Sequence, residues 1–211
     1  GQLPDNAEEI LTQIGRQELA AAGIDEQTLA FWQPALDKIV RWVLDKENGY
    51  RREISRVFCE AEGRYDFEAP GGTFTVGARA DRIDLTIDGK INVIDYKTGR
   101  ARTKKEISAG YAPQLPIEGI IALNGGFAGI PAAEVNSLRY WRLGKEEICV
   151  DEKINEILER NLENIKRLIA VFDNEDKPYL TQPNPKYAPA YSDYEHLSRI
   201  KEWGANDRHD D

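Results

Sequence analysis

Methionine is absent from the 211 residues, histidine occurs only at His196 and His209, and cysteine only at Cys59 and Cys149. Two cysteines outside any CxxC spacing exclude a disulfide-built scaffold and cannot assemble a four-cysteine zinc site or an iron–sulfur cluster within the chain. No stretch approaches the ~20 apolar residues that a membrane-spanning helix needs. Asp5, Glu8, Glu9 and Glu18 stand where a signal peptide would be apolar. The chain therefore reads as cytoplasmic, with no membrane partner. Internal repeats and low-complexity linkers are missing too. The lack of an initiator methionine, with glycine first, suits a piece of a longer polypeptide.

Basic charge is scarce: 28 Lys and Arg face 37 Asp and Glu, a net charge of -9 that argues against a protein coating nucleic acid through bulk charge. The exception is local. Residues 97–105, KTGRARTKK, hold five basic side chains and no acid, so a polyanion would be met there.

What is present suffices for one core, since a chain of this length buries roughly 70% of its unfolded surface. Residues 7–48 read as helices, with Ile10, Leu11 and Ile14 on one stripe and Leu36, Ile39, Val40, Val43 and Leu44 on another. Pro34 suits a first turn. Residues 54–97 turn to β-branched and aromatic side chains punctuated at Gly71-Gly72 and Asp88-Gly89, which predicts a run of strands. A short helix is expected from Pro113 to Asn124, a strand over Ser137–Leu143, and an amphipathic helix over residues 151–171. The tail from Asp176 reads as irregular, with a closing helix around Asp193–Trp203. This order predicts an α/β layer fold.

The most informative stretch is Gly77–Gly99, GARADRIDLTIDGKINVIDYKTG. A two-residue loop at Asp88-Gly89 would send Asp81 and Asp95 to opposite faces. A three-residue loop, Ile87-Asp88-Gly89, with glycine in the left-handed position, instead pairs Leu85 with Ile91 and Ile83 with Val93. Asp81 then faces Asp95, and Lys97 shares their face. Facing carboxylates repel, and a cation between them is the usual remedy. Oxygen ligands beside a phosphate suit Mg²⁺ or Mn²⁺ rather than zinc. Lys97 is placed to orient an attacking water and stabilise charge developing on phosphate.

GARADRID, the Asp-Gly turn, IDYKTG, the basic loop and PQLP together resemble the RecB-type branch of the PD-(D/E)xK nucleases. The resemblance is closer still to the C-terminal nuclease domain of the AddB family, a subunit of the bacterial AddAB helicase-nuclease that processes double-strand breaks. YWRLG at 140–144 and the closing PYL and DYEHLSRIKEW segments look like that domain as well. The resemblance implies a restriction-endonuclease-like fold, a central mixed sheet flanked by helices. It implies a Mg²⁺- or Mn²⁺-dependent DNA exonuclease, with DNA and an AddA-like helicase-nuclease subunit as partners, acting in repair and recombination. Residues 1–211 would form one nuclease domain, the C-terminal part of a larger subunit: a helical lead-in over 1–50, a catalytic sheet core over 54–150, and a closing helix and tail over 151–211.

Roles transfer position by position. Asp81 and Asp95 match the metal carboxylates, Tyr96 the residue lending a backbone carbonyl, and Lys97 the catalytic lysine. Gln114 matches the glutamine of a QxxxY helix, whose tyrosine position holds Glu118 here. Arg100, Arg102, Lys104 and Lys105 would contact phosphates. RecB-type nucleases also bring a histidine or glutamate from the first helix to the metal. No histidine precedes His196, so Glu62, or less readily Glu60, is the stand-in, or that helix lies upstream. In the second case the isolated chain would bind metal weakly and cleave poorly, and an upstream extension would restore both. His196 reads as a packing or surface residue, and the tail aromatics as a clasp over the core rather than a base-stacking platform. AddB proteins often hold an iron–sulfur cluster through four cysteines that this chain lacks. A catalytically silent module that grips DNA or scaffolds a helicase partner, and a phosphatase built on the same acids, are the competing functions.

Overall fold

A computed structural model describes residues 3–180 and residue 197. Apart from Leu197, the expected closing helix, His196 and the later tail aromatics lie outside the described residues. The chain divides into two compact units, Gly1–Ala170 and Val171–Asp211.

In the first unit, helices α1 (Ala7–Ala21) and α2 (Glu26–Tyr50) precede strands β1 (Ile54–Ala69), β2 (Gly72–Thr86) and β3 (Ile91–Lys97). Helices α3 (Lys104–Ala109) and α4 (Gln114–Leu123), strands β4 (Val135–Arg142) and β5 (Glu146–Val150), and helix α5 (Ile154–Phe172) follow. The sheet runs β1-β2-β3-β4-β5, antiparallel except for the parallel pair β3 and β4, which α3 and α4 connect. This is the expected α/β class with a mixed sheet flanked by helices. In the second unit, α5 ends and irregular chain runs to Leu180, with Phe172 stacked on Tyr179 at 4.8 Å between ring centroids.

The register of the β2–β3 hairpin is the one that the three-residue loop demands. Leu85 pairs with Ile91 and Ile83 with Val93, and Gly89 takes a φ of 81°. A side chain there would force a strained left-handed residue, which is why glycine occupies it. On one face, Ile83, Ile91, Val93, Leu115, Ile121, Leu138 and Leu158 build the core between the sheet and helices α4 and α5. Gly119 lets those helices close, because a β-carbon there would lie 2.9 Å from Leu158 Cδ2.

The other face carries a buried ion network instead of an aliphatic layer. Arg82 donates to both oxygens of Asp84 at 2.8 and 3.0 Å, pairs with Glu47 of α2, and donates to the Tyr96 hydroxyl at 3.2 Å. Arg51 bonds the second Glu47 oxygen at 2.7 Å. Burial pushes Glu47 up, but its bonds to Arg82 and Arg51 outweigh that and hold it below the usual carboxylate range. Asp84 is buried more completely, and there burial wins and raises it. Trp141 anchors the same layer, edge-on to Trp42 and Tyr50 at 5.8 Å each.

Three expectations need correction. Pro34 is inside α2, because the Asp25 carboxylate caps the Gln27 and Thr28 amides and starts the helix two turns earlier. Lys104 and Lys105 open a helix rather than extending a loop: Thr103 and Glu106 form a reciprocal capping box. Leu168, an apolar residue of the amphipathic helix expected over residues 151–171, is exposed rather than buried on its apolar face.

Candidate active site

Beyond Arg82 and Ile94 the ladder between β2 and β3 stops. Continued pairing would carry the Tyr96 amide to the Ala80 carbonyl. The Asp81 carboxylate takes that amide instead, at 2.9 Å. A second irregularity lies one strand over. Glu60 adopts a φ of 52°, and β1 pairs with β2 at Cys59 with Arg82 and at Ala61 with Ala80 but not between. Core-facing positions accordingly jump three residues on both strands, from Phe58 to Ala61 and from Ile83 to Ala80. Asp81 stands at this break in the β1–β2 pairing, from which its side chain reaches across to β3.

Asp95, the next position in register, is 1% exposed. Lys97 Nζ lies 2.6 Å from Asp95 Oδ2 as an ion pair, without the alignment of a hydrogen bond. From the first turn of α4, Gln114 donates Nε2–H to Asp95 Oδ1, and its Oε1 accepts from Lys97 Nζ at 3.3 Å. The Lys97 ammonium also lies 5.5 Å from the centroid of the Tyr140 ring. Burial raises the Asp95 pKa, Lys97 opposes this, and the charge of Asp81 adds to it. Two carboxylates therefore interact at the sheet's C-terminal edge, one of them desolvated and held beside an ammonium.

Glu118, one turn beyond Gln114, completes this group. It is 2% exposed and accepts from Gln114 Nε2 at 3.3 Å, while its Oε2 is buried without a hydrogen-bond partner. Burial, reinforced by Asp95 and Asp81, pushes its pKa up to about 8. Sequence reasoning treated this position only as a departure from a motif. The signal was present, an acid four residues after Gln114 among Leu115, Ile117, Ile120 and Ile121. Tyr140 was not singled out either, although it pairs with Asp95 across the parallel strands.

Other expected residues are not brought in. Among the described residues no three His, Cys, Asp or Glu side chains gather into a metal-holding group. Glu62 lies past the break at Glu60, where the odd-numbered residues of β1 face the core, and it is exposed opposite Arg79. Glu60 is ion-paired to Arg79 at 2.8 Å. A carboxylate on a helix before β1 does exist in Glu47, but it belongs to the Arg82 network on the opposite face. Arg100 and Arg102 each lie 3.4 Å from Glu106 Oε1, so an acid just past the basic run partly neutralises it. Lys104 and Lys105 are exposed.

The family model described as the PD-(D/E)XK nuclease superfamily matches residues 2–194. An uncharacterized protein of Rickettsia bellii is 30% identical over 120 residues, which cover 57% of this chain and 14% of that protein. One of Rickettsia conorii is 31% identical over 117 residues, 56% of this chain and 14% of the relative. The chain thus spans about a seventh of the length of these curated relatives. Among solved structures, SSO0001 aligns over 80% of this chain and 79% of its own, with 17% identity and a TM-score of 0.33.

Proposed function

Since the chain belongs to the PD-(D/E)XK nuclease superfamily, we propose that it hydrolyses DNA phosphodiester bonds with the help of a divalent cation, as an exonuclease in double-strand break repair. The observation that carries this reading is the arrangement at the end of β3: desolvated Asp95, ion-paired Lys97 at 2.6 Å, and Asp81 reaching across from the parted strand.

The donor set fits Mg²⁺ or Mn²⁺. Asp81, Asp95 and the Tyr96 carbonyl offer oxygen ligands only, and Mg²⁺ keeps several waters when few protein ligands are at hand. A desolvated carboxylate whose pKa is raised also gains from a cation beside it. When bound, the ion supplies Lewis-acid stabilisation of the phosphate and a more acidic water. The chain's own groups do the rest. Lys97 hydrogen-bonds the attacking water and the phosphate oxygens as charge builds on them. Gln114 keeps Lys97 and Asp95 in mutual alignment. Arg100, Arg102, Lys104 and Lys105 hold backbone phosphates without regard to sequence.

The resemblance to AddB supports an AddA-like helicase-nuclease subunit as partner and a cytoplasmic setting. Among the described residues no helix is long and apolar enough to cross a membrane. That no three acids are gathered into a metal-holding group among the described residues favours a second reading, a silent module that grips DNA.

Cleavage of linear DNA by the full natural polypeptide that carries this sequence decides between the two. Mg²⁺- or Mn²⁺-dependent cleavage, abolished by EDTA and by Asp95→Ala or Lys97→Ala with little change in Tm, is expected. Small phosphate esters should be left intact. Full cleavage by Lys97→Ala would show that the lysine is misassigned, and DNA binding without any cleavage would establish the silent module.

A further inference from the structure

A carboxylate buried to 2% exposure with one oxygen unpaired costs free energy that a leucine at the same place would not. Among the described residues Glu118 has one hydrogen-bond partner, Gln114, and that partner explains why the acid is there.

Gln114 is itself exposed, so packing does not fix its rotamer. A free glutamine side chain loses rotamer entropy when held in one conformation. Its primary amide has two hydrogens and one oxygen to satisfy. In this structure all are taken: one hydrogen by Asp95 Oδ1, the other by Glu118 Oε1 at 3.3 Å, and the oxygen by Lys97 at 3.3 Å. Asp95 and Lys97 tell the amide which way round to lie, but both approach from β3. Glu118 approaches from α4, is locked in the core, and sits on the same helical face as Gln114 four residues on. Only Glu118 ties the amide to the helix that carries it.

We propose that Glu118 is a positioning residue of this site, fixing the Gln114 amide so that Asp95 and Lys97 are held in one geometry. It acts through Gln114 and touches no reacting atom. Burial favours the neutral acid, which accepts through its carbonyl oxygen, so glutamine is the matched replacement and an apolar residue the disabling one.

The kinetic arm of the test rests on the hydrolytic reading above, whereas the spectroscopic arm does not. In the metal-free chain, two-dimensional NMR of the ¹⁵N-labelled protein reads the Gln114 side-chain amide directly. In the wild type its two protons should be well separated and slow to exchange, and Glu118→Gln should preserve this. Glu118→Leu should collapse the pair toward free glutamine while leaving the backbone amides of β2 intact. Glu118→Met, unbranched and of similar length, serves the same purpose if leucine does not pack. In the full polypeptide, the disabling variant should lower kcat for DNA about tenfold with KM within about twofold, and Glu118→Gln should restore most of the rate. An unchanged Gln114 amide in both apolar variants overturns the positioning role whatever the cleavage assay gives. An unchanged kcat beside a disordered amide overturns its relevance to catalysis. If the wild type cleaves nothing, the hydrolytic reading falls and the NMR result still decides the contact.

Discussion

Replacing Glu118 by glutamine should stabilise the protein at neutral pH, by an amount that the structure sets. In the unfolded chain this glutamate ionises with the ordinary value of 4.5, whereas burial raises it to about 8 in the folded chain. Folding therefore favours the protonated form. The wild type is least penalised below the unfolded value and loses stability progressively as pH rises from about 4.5 toward 8. At 1.36 kcal/mol per unit, the loss between pH 5 and pH 7 is about 2–3 kcal/mol, and the glutamine variant escapes it. The assay is urea unfolding of both proteins in EDTA at half-unit steps from pH 5 to pH 8, compared at equal ionic strength. Glu47 and Glu147, whose pKa values are held low by their arginine and lysine partners, destabilise both proteins alike on acidification and cancel in the difference. The difference should grow with pH in favour of Glu118→Gln. A difference that stays flat over this range would mean that Glu118 is ionised in the folded protein, and the burial argument would be refuted.

Two further outcomes follow from other parts of the molecule. Arg82→Met leaves Glu47 and Asp84 buried with no guanidinium between them, and should cost about 3–5 kcal/mol in urea unfolding; a loss below about 1 kcal/mol would show that water or Arg51 already satisfies those acids. Arg100→Ala combined with Arg102→Ala should weaken DNA binding evenly across sequences and flatten the slope of log K against log salt by about 2, whereas an unchanged slope would place the phosphate contacts elsewhere.

Much of the candidate site was legible because strand periodicity and one glycine leave little freedom. Once Gly89 fixes a three-residue loop, Leu85 and Ile83 fall opposite Ile91 and Val93, and any other register would send an aliphatic set to the wrong face; the ladder ends at Arg82 and Ile94, so Asp81 meets the Tyr96 amide rather than pairing with Asp95. Beyond that hairpin, local pattern stops being informative. A glutamate with positive φ leaves no mark in composition, so the break in pairing at Glu60 was invisible, and with it the outward turn of Glu62. The pairing of Glu47 with Arg82 spans 35 positions and depends on how α2 crosses the sheet. Pro34 was misplaced because a proline inside a helix weakens it without forbidding it when Asp25 already supplies a strong start. Helix α3 was legible and overlooked: Thr103 and Glu106 have the spacing of a capping box, masked by the attention drawn to the lysines between them. Strand β5, five residues with charges at its start, offered too short a pattern to separate from loop.

The most direct test of the central claim is anomalous diffraction from crystals grown or soaked with Mn²⁺. A single manganese peak bound by the carboxylates of Asp81 and Asp95 and the carbonyl of Tyr96, lost in crystals of Asp95→Ala, is the result expected. A peak elsewhere on the molecule, or none at these residues at millimolar Mn²⁺, would contradict the assignment of this cluster as a metal-dependent hydrolytic site.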